Sequence, residues 1–155
     1  MPLQKLKDFL NSRGVKYVVL SHSPAFTAQE VAESADISGR ELAKTVMVRL
    51  DGEMAMAVVP ASKMVDFDLL AETAGAEKVE LASENQFKDL FPGCEVGAMP
   101  PFGNLYGMAV YAAAELSEDE EIAFSAGNHS ELIRLGWRDY RDSVEPTVAA
   151  ITQQV

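Results

Sequence analysis

Cysteine is nearly absent: Cys94 is the only one in 155 residues, which excludes an intrachain disulfide and any multi-cysteine zinc site. That usage suits a reducing compartment. Histidine is almost as scarce, with only His22 and His129, and two isolated histidines are thin material for a metal centre. No metal and no cofactor is expected. Long apolar runs are missing too: the longest, Met108 to Ala114, falls far short of the ~20 residues that span a bilayer. The N-terminal Met-Pro-Leu-Gln-Lys-Leu-Lys-Asp carries charges where a signal peptide needs its apolar core. A cytoplasmic protein without a membrane partner is the expectation. There is no P-loop, dinucleotide fingerprint or Gly-x-Ser-x-Gly elbow. Positive charge is short as well, with 13 basic against 24 acidic side chains and a net charge of −11. Between Lys88 and Arg134 there is no Lys or Arg and there are eight carboxylates. Because phosphate binding draws on a basic field, a polyanion would meet one face only, near Lys5, Lys7, Arg13 and Lys16.

What remains is an ordinary globular composition, 48% hydrophobic and 24% charged, without repeats or low-complexity linkers. A single domain over residues 1–155 is expected. Leu3, Leu6 and Leu10 at helical spacing, followed by Gly14, predict an amphipathic helix from Pro2 to Arg13. Val15 to Leu20 reads as a strand. Thr27-Ala-Gln-Glu30 is a capping box that opens a helix to about Ala35. Asp51-Gly52 supplies the positive φ of a type I′ turn and joins Ala43 to Leu50 with Glu53 to Pro60 as a hairpin. Asp66 caps a helix from Phe67 to Ala74 that stops at Gly75, and Ser83-Glu-Asn-Gln86 is a capping box before Phe87 to Phe91. Lys78 to Leu81, Met108 to Ala114, Ile122 to Ser125 and Leu132 to Leu135 are strand-like, and Trp137 to Val144 is helical. The fold class is α+β with a mixed, partly closed β-sheet flanked by helices.

Three segments are candidates for chemistry. Pro92 to Gly103 is crowded with proline and glycine, which predicts a loop held by backbone restriction and not by packing. Within it, Pro100 and Pro101 lack N–H groups, so the amides of Gly97, Ala98 and Met99 have few local partners and are available to a ligand oxygen. A rigid turn is the plainer alternative. Lys44 begins a strand among apolar neighbours, where partial burial would strengthen its field, unless it simply snorkels. Ser125-Ala-Gly-Asn-His-Ser130 is a polar turn in which Gly127 supplies positive φ and His129 a base or donor, although a loop histidine alone is unremarkable. Cys94 lacks a neighbouring base, and Glu118 to Glu121 lacks the spacing of a cation loop.

These segments, in this order, give the sequence its identity. With His22 to Glu30 (His-Ser-Pro-Ala-Phe-Thr-Ala-Gln-Glu), Leu-Ala-Lys-Thr (Leu42 to Thr45), Val-Pro-Ala-Ser (Val59 to Ser62), the Gly-x-x-x-Pro loop (Gly97 to Pro101) and Ser125 to Leu132, the chain resembles the YbaK/ProX family of aminoacyl-tRNA deacylases. The same unit is inserted in bacterial prolyl-tRNA synthetases as an editing domain. The resemblance covers nearly the whole chain. It implies hydrolysis of the ester between a wrong amino acid and the terminal adenosine of tRNA. The family's lysine falls on Lys44, its loop glycine on Gly97 and, in some branches, a histidine on His129. Ala98, Met99, Ser125, Gly127 and Asn128 are then substrate-binding, with Phe26, Thr27 and Met47 as pocket walls. The implied partners are the acceptor end of aminoacyl-tRNA and an aminoacyl-tRNA synthetase. Asn128 and His129 stand where the best-known bacterial members carry basic residues. A non-catalytic binding module and a hydrolase of another small acyl ester are the alternatives.

Overall fold

The computed structural model describes residues 2–21, 42–91, 94–95 and 98–153. Helix α1 (Pro2–Ser12) buries Leu6 and Leu10, and Gly14 at φ +68° turns the chain so that the Val15 amide donates to the Leu10 carbonyl. Strand β1 (Tyr17–Ser21) pairs antiparallel with β7 (Glu131–Gly136), which pairs antiparallel with β6 (Glu121–Ser125). The hairpin forms as expected. β2 (Ala43–Leu50) and β3 (Glu53–Pro60) meet through Asp51 at φ 50° and Gly52 at φ 89°. The Asp51 carboxylate also accepts from the Glu77 and Lys78 amides, which docks β4 (Val79–Leu81) beside β2.

Two parallel pairings complete a five-stranded sheet: β3 with β5 (Ala109–Ala113), and β5 with β8 (Thr147–Ala149). Its order is β4-β2-β3-β5-β8, and the other three strands run β1-β7-β6. Among the described residues one bridge, Leu42 to Ala123, joins the two sheets, and the mixed β-structure is not closed into a barrel. Alternation along β2 and β3 divides the core. Ala43, Met47, Met56 and Val58 face the larger cluster with Leu6, Phe102 and Phe124, whereas Val48, Ala57 and Val59 face Val65, Leu70 and Ile151. With both faces covered, β3 from Ala55 to Pro60 is a continuous buried run.

Helix α2 (Phe67–Ala74) starts where Asp66 accepts from the Asp68 and Leu69 amides and stops at Gly75, φ +68°. Its entry is pinned by the end of the chain, since the Asp66 amide donates to Ile151 and the Gln153 amide to Met64. Helix α3 spans Glu84–Phe87 and passes into a 3-10 turn, Lys88–Leu90, in place of the helix expected from Phe87 to Phe91. Only half of its capping box is made, the Ser83 amide donating to Gln86 Oε1. Helix α4 (Trp137–Val144) has the expected bounds. Glu145 ends it in the left-handed region at φ 54°, and β8 follows where the sequence pattern predicts no strand.

The largest correction concerns the proline-rich loop. It is held by packing: Ala98, Met99, Pro100, Pro101, Phe102 and Gly103 are all buried. Phe102 meets Phe9 edge-on at 6.0 Å, Phe124 at 5.4 Å and Tyr140 at 5.5 Å, and the Tyr140 hydroxyl donates to the Pro101 carbonyl at 2.8 Å. Burial pushes the Tyr140 phenol well above its usual range, so it stays a donor.

Two substitutions test this anchoring. A Cβ at Gly103 would lie 2.6 Å from Val110 Cγ2 and 2.7 Å from the Met108 carbonyl oxygen, so Gly103→Ala is expected to cost about 1–3 kcal/mol in urea unfolding. Tyr140→Phe leaves the Pro101 carbonyl buried without its donor and should lower stability by about 1–2 kcal/mol, read as a lower Tm.

Candidate functional site

The described part of the proline-rich loop and the β6–β7 turn are stitched together through their backbones. The Glu95 amide donates to the Gly127 carbonyl at 2.8 Å, and the Gly127 amide returns a bond to the Ala98 carbonyl at 2.9 Å. Gly127 at φ 102° holds a conformation that a side chain would strain. Asn128 spends its polar groups on the turn, its Oδ1 accepting from the Ser130 amide and hydroxyl and its Nδ2 donating to Glu131. Ser125, half-buried, ends β6 opposite Leu132. His129 is 9% exposed, and its Nε2 lies 3.7 Å from Glu95 Oε2. The two segments that stood apart in the sequence are therefore one surface.

The Ala98 amide departs from expectation. It donates to the Glu95 carbonyl at 3.0 Å, which takes that N–H away from any ligand. Among the described residues no acceptor is found for the Met99 amide. Met99 and Met47 pack with their side chains in the larger core. Gly97, Phe26, Thr27 and His22, with the helix expected from Thr27 to Ala35, lie outside the described residues.

Lys44 sits on the other side of its strand. It shares parity with Val46 and Val48, opposite to Ala43 and Met47, and lies across from Val59. There it lines a groove of about 880 Å³ with Val46, Met64, Asp66, Phe67 and Leu81. Partial burial lowers the affinity of its amine for a proton. Among the described residues no side chain or carbonyl forms a hydrogen bond or ion pair with its Nζ. A partly desolvated ammonium with no partner among the described residues offers its field to an incoming anion.

Sequence reasoning missed Glu95 and the groove walls. Glu95 is one carboxylate in a chain rich in them, and Met64, Phe67 and Leu81 are separated in sequence and converge only through the β2–β4 pairing and the docking of α2. Cys94 is half-buried, and its surroundings push the thiol up, which disfavours a nucleophilic thiolate. Beside it, burial pushes the Tyr106 phenol up to about 12. The N-terminal cations are partly committed: Lys5 Nζ donates to the Leu105 carbonyl and lies 4.5 Å from the Tyr106 ring centre, and Arg13 donates to the Asp142 carbonyl. Among the described residues no three His, Cys, Asp or Glu side chains gather as metal ligands, and no helix is long and apolar enough to cross a membrane.

Known proteins place this arrangement. The sequence pattern described as the aminoacyl-tRNA editing domain matches residues 22–143. A proline–tRNA ligase from Maridesulfovibrio salexigens is 32% identical over 77 residues, which is 50% of this chain but only 13% of the ligase. Among solved structures, hypothetical protein APE2540 superposes with a TM-score of 0.86 at 24% identity, over 96% of this chain and 99% of that one. A protein proposed to be a trans-editing enzyme for prolyl tRNA synthetase superposes with a TM-score of 0.82 at 18% identity, over 99% and 98% of the two chains. At such identities the structural likeness is one of fold. The matched sequence pattern, however, runs through Lys44, the proline-rich loop and the His129 turn, and by it the chain belongs to the YbaK-like family of aminoacyl-tRNA editing domains.

Proposed function

We propose that this chain, folded as a single domain in the cytoplasm, hydrolyses the ester of mischarged aminoacyl-tRNA. The observation that carries the reading is the partly buried ammonium of Lys44, without a partner among the described residues, in a chain of the editing-domain family. An aminoacyl ester is already activated, and a thousandfold acceleration requires only about 4 kcal/mol. Placement and electrostatics suffice for that. Water adds to the ester carbonyl carbon, the bond from that carbon to the ribose oxygen breaks, and the ribose oxygen takes up the proton that the water gives up. Lys44, on the other face of β2, neutralises the terminal phosphate, and the amides of Gly97 and Met99 hold the carbonyl oxygen. The Ala98 amide, occupied by the Glu95 carbonyl, leaves that set. His129, with Glu95 beside it, is the group on the loop–turn surface able to take the proton from water or from a ribose hydroxyl.

Discrimination between amino acids falls to pocket size. One methylene is worth only about 1–3 kcal/mol, so the cognate residue is rejected by steric exclusion or a lost hydrogen bond. The likeness to a proline–tRNA ligase supports a tRNA charged by that synthetase as substrate, with the synthetase as a partner. A second reading, hydrolysis of a small acyl ester free of RNA, is favoured by the net charge of −11.

Turnover of a panel of aminoacyl-tRNAs against the matching free aminoacyl esters separates the two. The expected result is hydrolysis of one or a few mischarged tRNAs in preference to every free ester, and equal rates on both would overturn the tRNA reading. In the same assay Lys44→Ala is expected to lose about 10²–10³-fold in kcat/KM without a fall in Tm. His129→Ala is expected to lose about 10²-fold in single-turnover rate, and an effect below about threefold would assign the proton to the ribose hydroxyl or to water held by the backbone.

A further inference from the structure

The stretch of chain that builds the loop–turn surface, from Asp89 to Ile133, contains no Lys or Arg and eight carboxylates. Five of the eight lie between Glu115 and Glu121, and two, Glu95 and Glu131, flank the turn itself. Glu131 accepts from Asn128 Nδ2 at 3.1 Å, so part of its charge is spent on the turn. The Glu95 side chain is 53% exposed and, among the described residues, pairs with no Lys or Arg. The imidazole beside it, His129, has its Nε2 at 3.7 Å, beyond a good hydrogen bond. Lys5, whose field reaches the adjacent Cys94, is held by the Leu105 carbonyl and the Tyr106 ring.

Backbone bonds fix where Glu95 stands. Its amide donates to the Gly127 carbonyl and its carbonyl accepts from the Ala98 amide, so its carboxylate belongs to the same stitched surface as the Met99 amide and His129. In an aminoacyl ester the α-nitrogen lies about 2.5 Å from the carbonyl carbon, a span set by two bonds and one angle. Whatever recognises that nitrogen must border the place where the carbonyl oxygen is held and the proton is taken. Among the described residues of this surface, Glu95 is the carboxylate that does so. The α-amine is cationic near neutral pH. With His129 neutral, as a proton acceptor must be, the Glu95 oxygens are left to accept from that cation.

We propose that Glu95 is the specificity residue for the free α-ammonium of the aminoacyl group. The inference rests on the deacylase reading and adds to it a substrate class: esters of amino acids with an unblocked amine, in preference to hydroxyacyl, N-acylated or peptidyl esters. The two charges of the substrate then meet separate groups, the phosphate on Lys44 and the ammonium on Glu95. The lack of cations from Asp89 to Ile133 acquires a purpose, because a Lys or Arg on this surface would occupy Glu95 and repel the ammonium.

The probes are a proline tRNA charged with alanine, small enough for a size-limited pocket, and the same tRNA charged with lactate, which puts a hydroxyl where alanine has its ammonium. Each rate is divided by that of the same ester without enzyme, because the ammonium itself activates the carbonyl. Wild type is expected to prefer the alanyl ester about five- to tenfold in kcat/KM, the worth of a charge-assisted contact at a half-exposed carboxylate. Glu95→Gln should bring that ratio below twofold through loss on the alanyl ester, with Tm unchanged. Glu95→Asp, which keeps the charge, should retain part of the preference. Glu84→Gln, at an exposed carboxylate on α3, should retain all of it. A wild-type ratio below twofold would overturn the proposal. Equal losses on both esters in Glu95→Gln would also overturn it and assign the carboxylate to His129 alone. Should wild type hydrolyse neither ester, the same tRNA with alanyl or lactyl joined by a stable 3′-amide is titrated with the full chain. Binding of the alanyl form at least fivefold more tightly, lost in Glu95→Gln, sinks the deacylase reading and keeps the ammonium site. Equal binding of the two amides, or of neither, overturns both.

Discussion

The bond from the Tyr140 hydroxyl to the Pro101 carbonyl, with the Phe102 ring beside it, is the contact on which the rest of the molecule depends. Prolines at 100 and 101 donate nothing to a backbone ladder, so this stretch cannot be fastened as a strand would be. It is fastened by burying a ring among Phe9 of α1, Phe124 of β6 and Tyr140 of α4. Three elements far apart in sequence are set against one another by that ring. The exchange of bonds among Glu95, Ala98 and Gly127 then has a rigid base, and His129 is held beside Glu95 as a consequence. Precision at the loop is inherited from the core.

Charge is managed by position. Cations near the N-terminus are partly used inside the molecule, with Lys5 over Tyr106 and Arg13 on the end of α4. Arg134 and Glu121 stand 4.0 Å apart across the β6–β7 pair, and the exposed Lys78–Glu80 pair is local to β4. Lys44 differs from the exposed lysines in being partly buried and, among the described residues, without a partner, so its attraction for an anion is less screened by water.

Much of the local structure was legible because single residues dictate it. Asp51-Gly52 has the positive φ values of its turn, Asp66 has its two capping bonds, and Gly75 and Gly127 have the left-handed backbone that only glycine enters freely. The failures are as instructive. Glycine and proline in the 92–103 stretch signal restricted backbone, and nothing in composition reveals that a loop is also buried. Phe102 was the one large ring there, and its partners lie in three other elements. β8 was invisible because three exposed or half-buried residues carry no alternation and their pairing is supplied by β5. The segments of the candidate site were legible through their order along the chain, but their distribution between two faces of β2 follows from strand parity set by the hairpin register, with Lys44 opposite Val59. The groove on one of those faces is a product of tertiary packing.

The five-stranded sheet also bears on how the protein behaves when crowded with copies of itself. β3 is an apolar run of the kind that pairs readily with a second chain, yet it lies in the middle of the sheet and offers no free edge. The strands left at the edges, β4 and β8, are only three residues long. One carries the Lys78–Glu80 pair at its start, and the other follows Pro146, which lacks an amide to offer a neighbour. A newcomer strand finds two short, charged or proline-flanked edges, and the sticky centre is shielded on both sides. Within this sheet the strand order leaves no long apolar edge for a second copy to pair with.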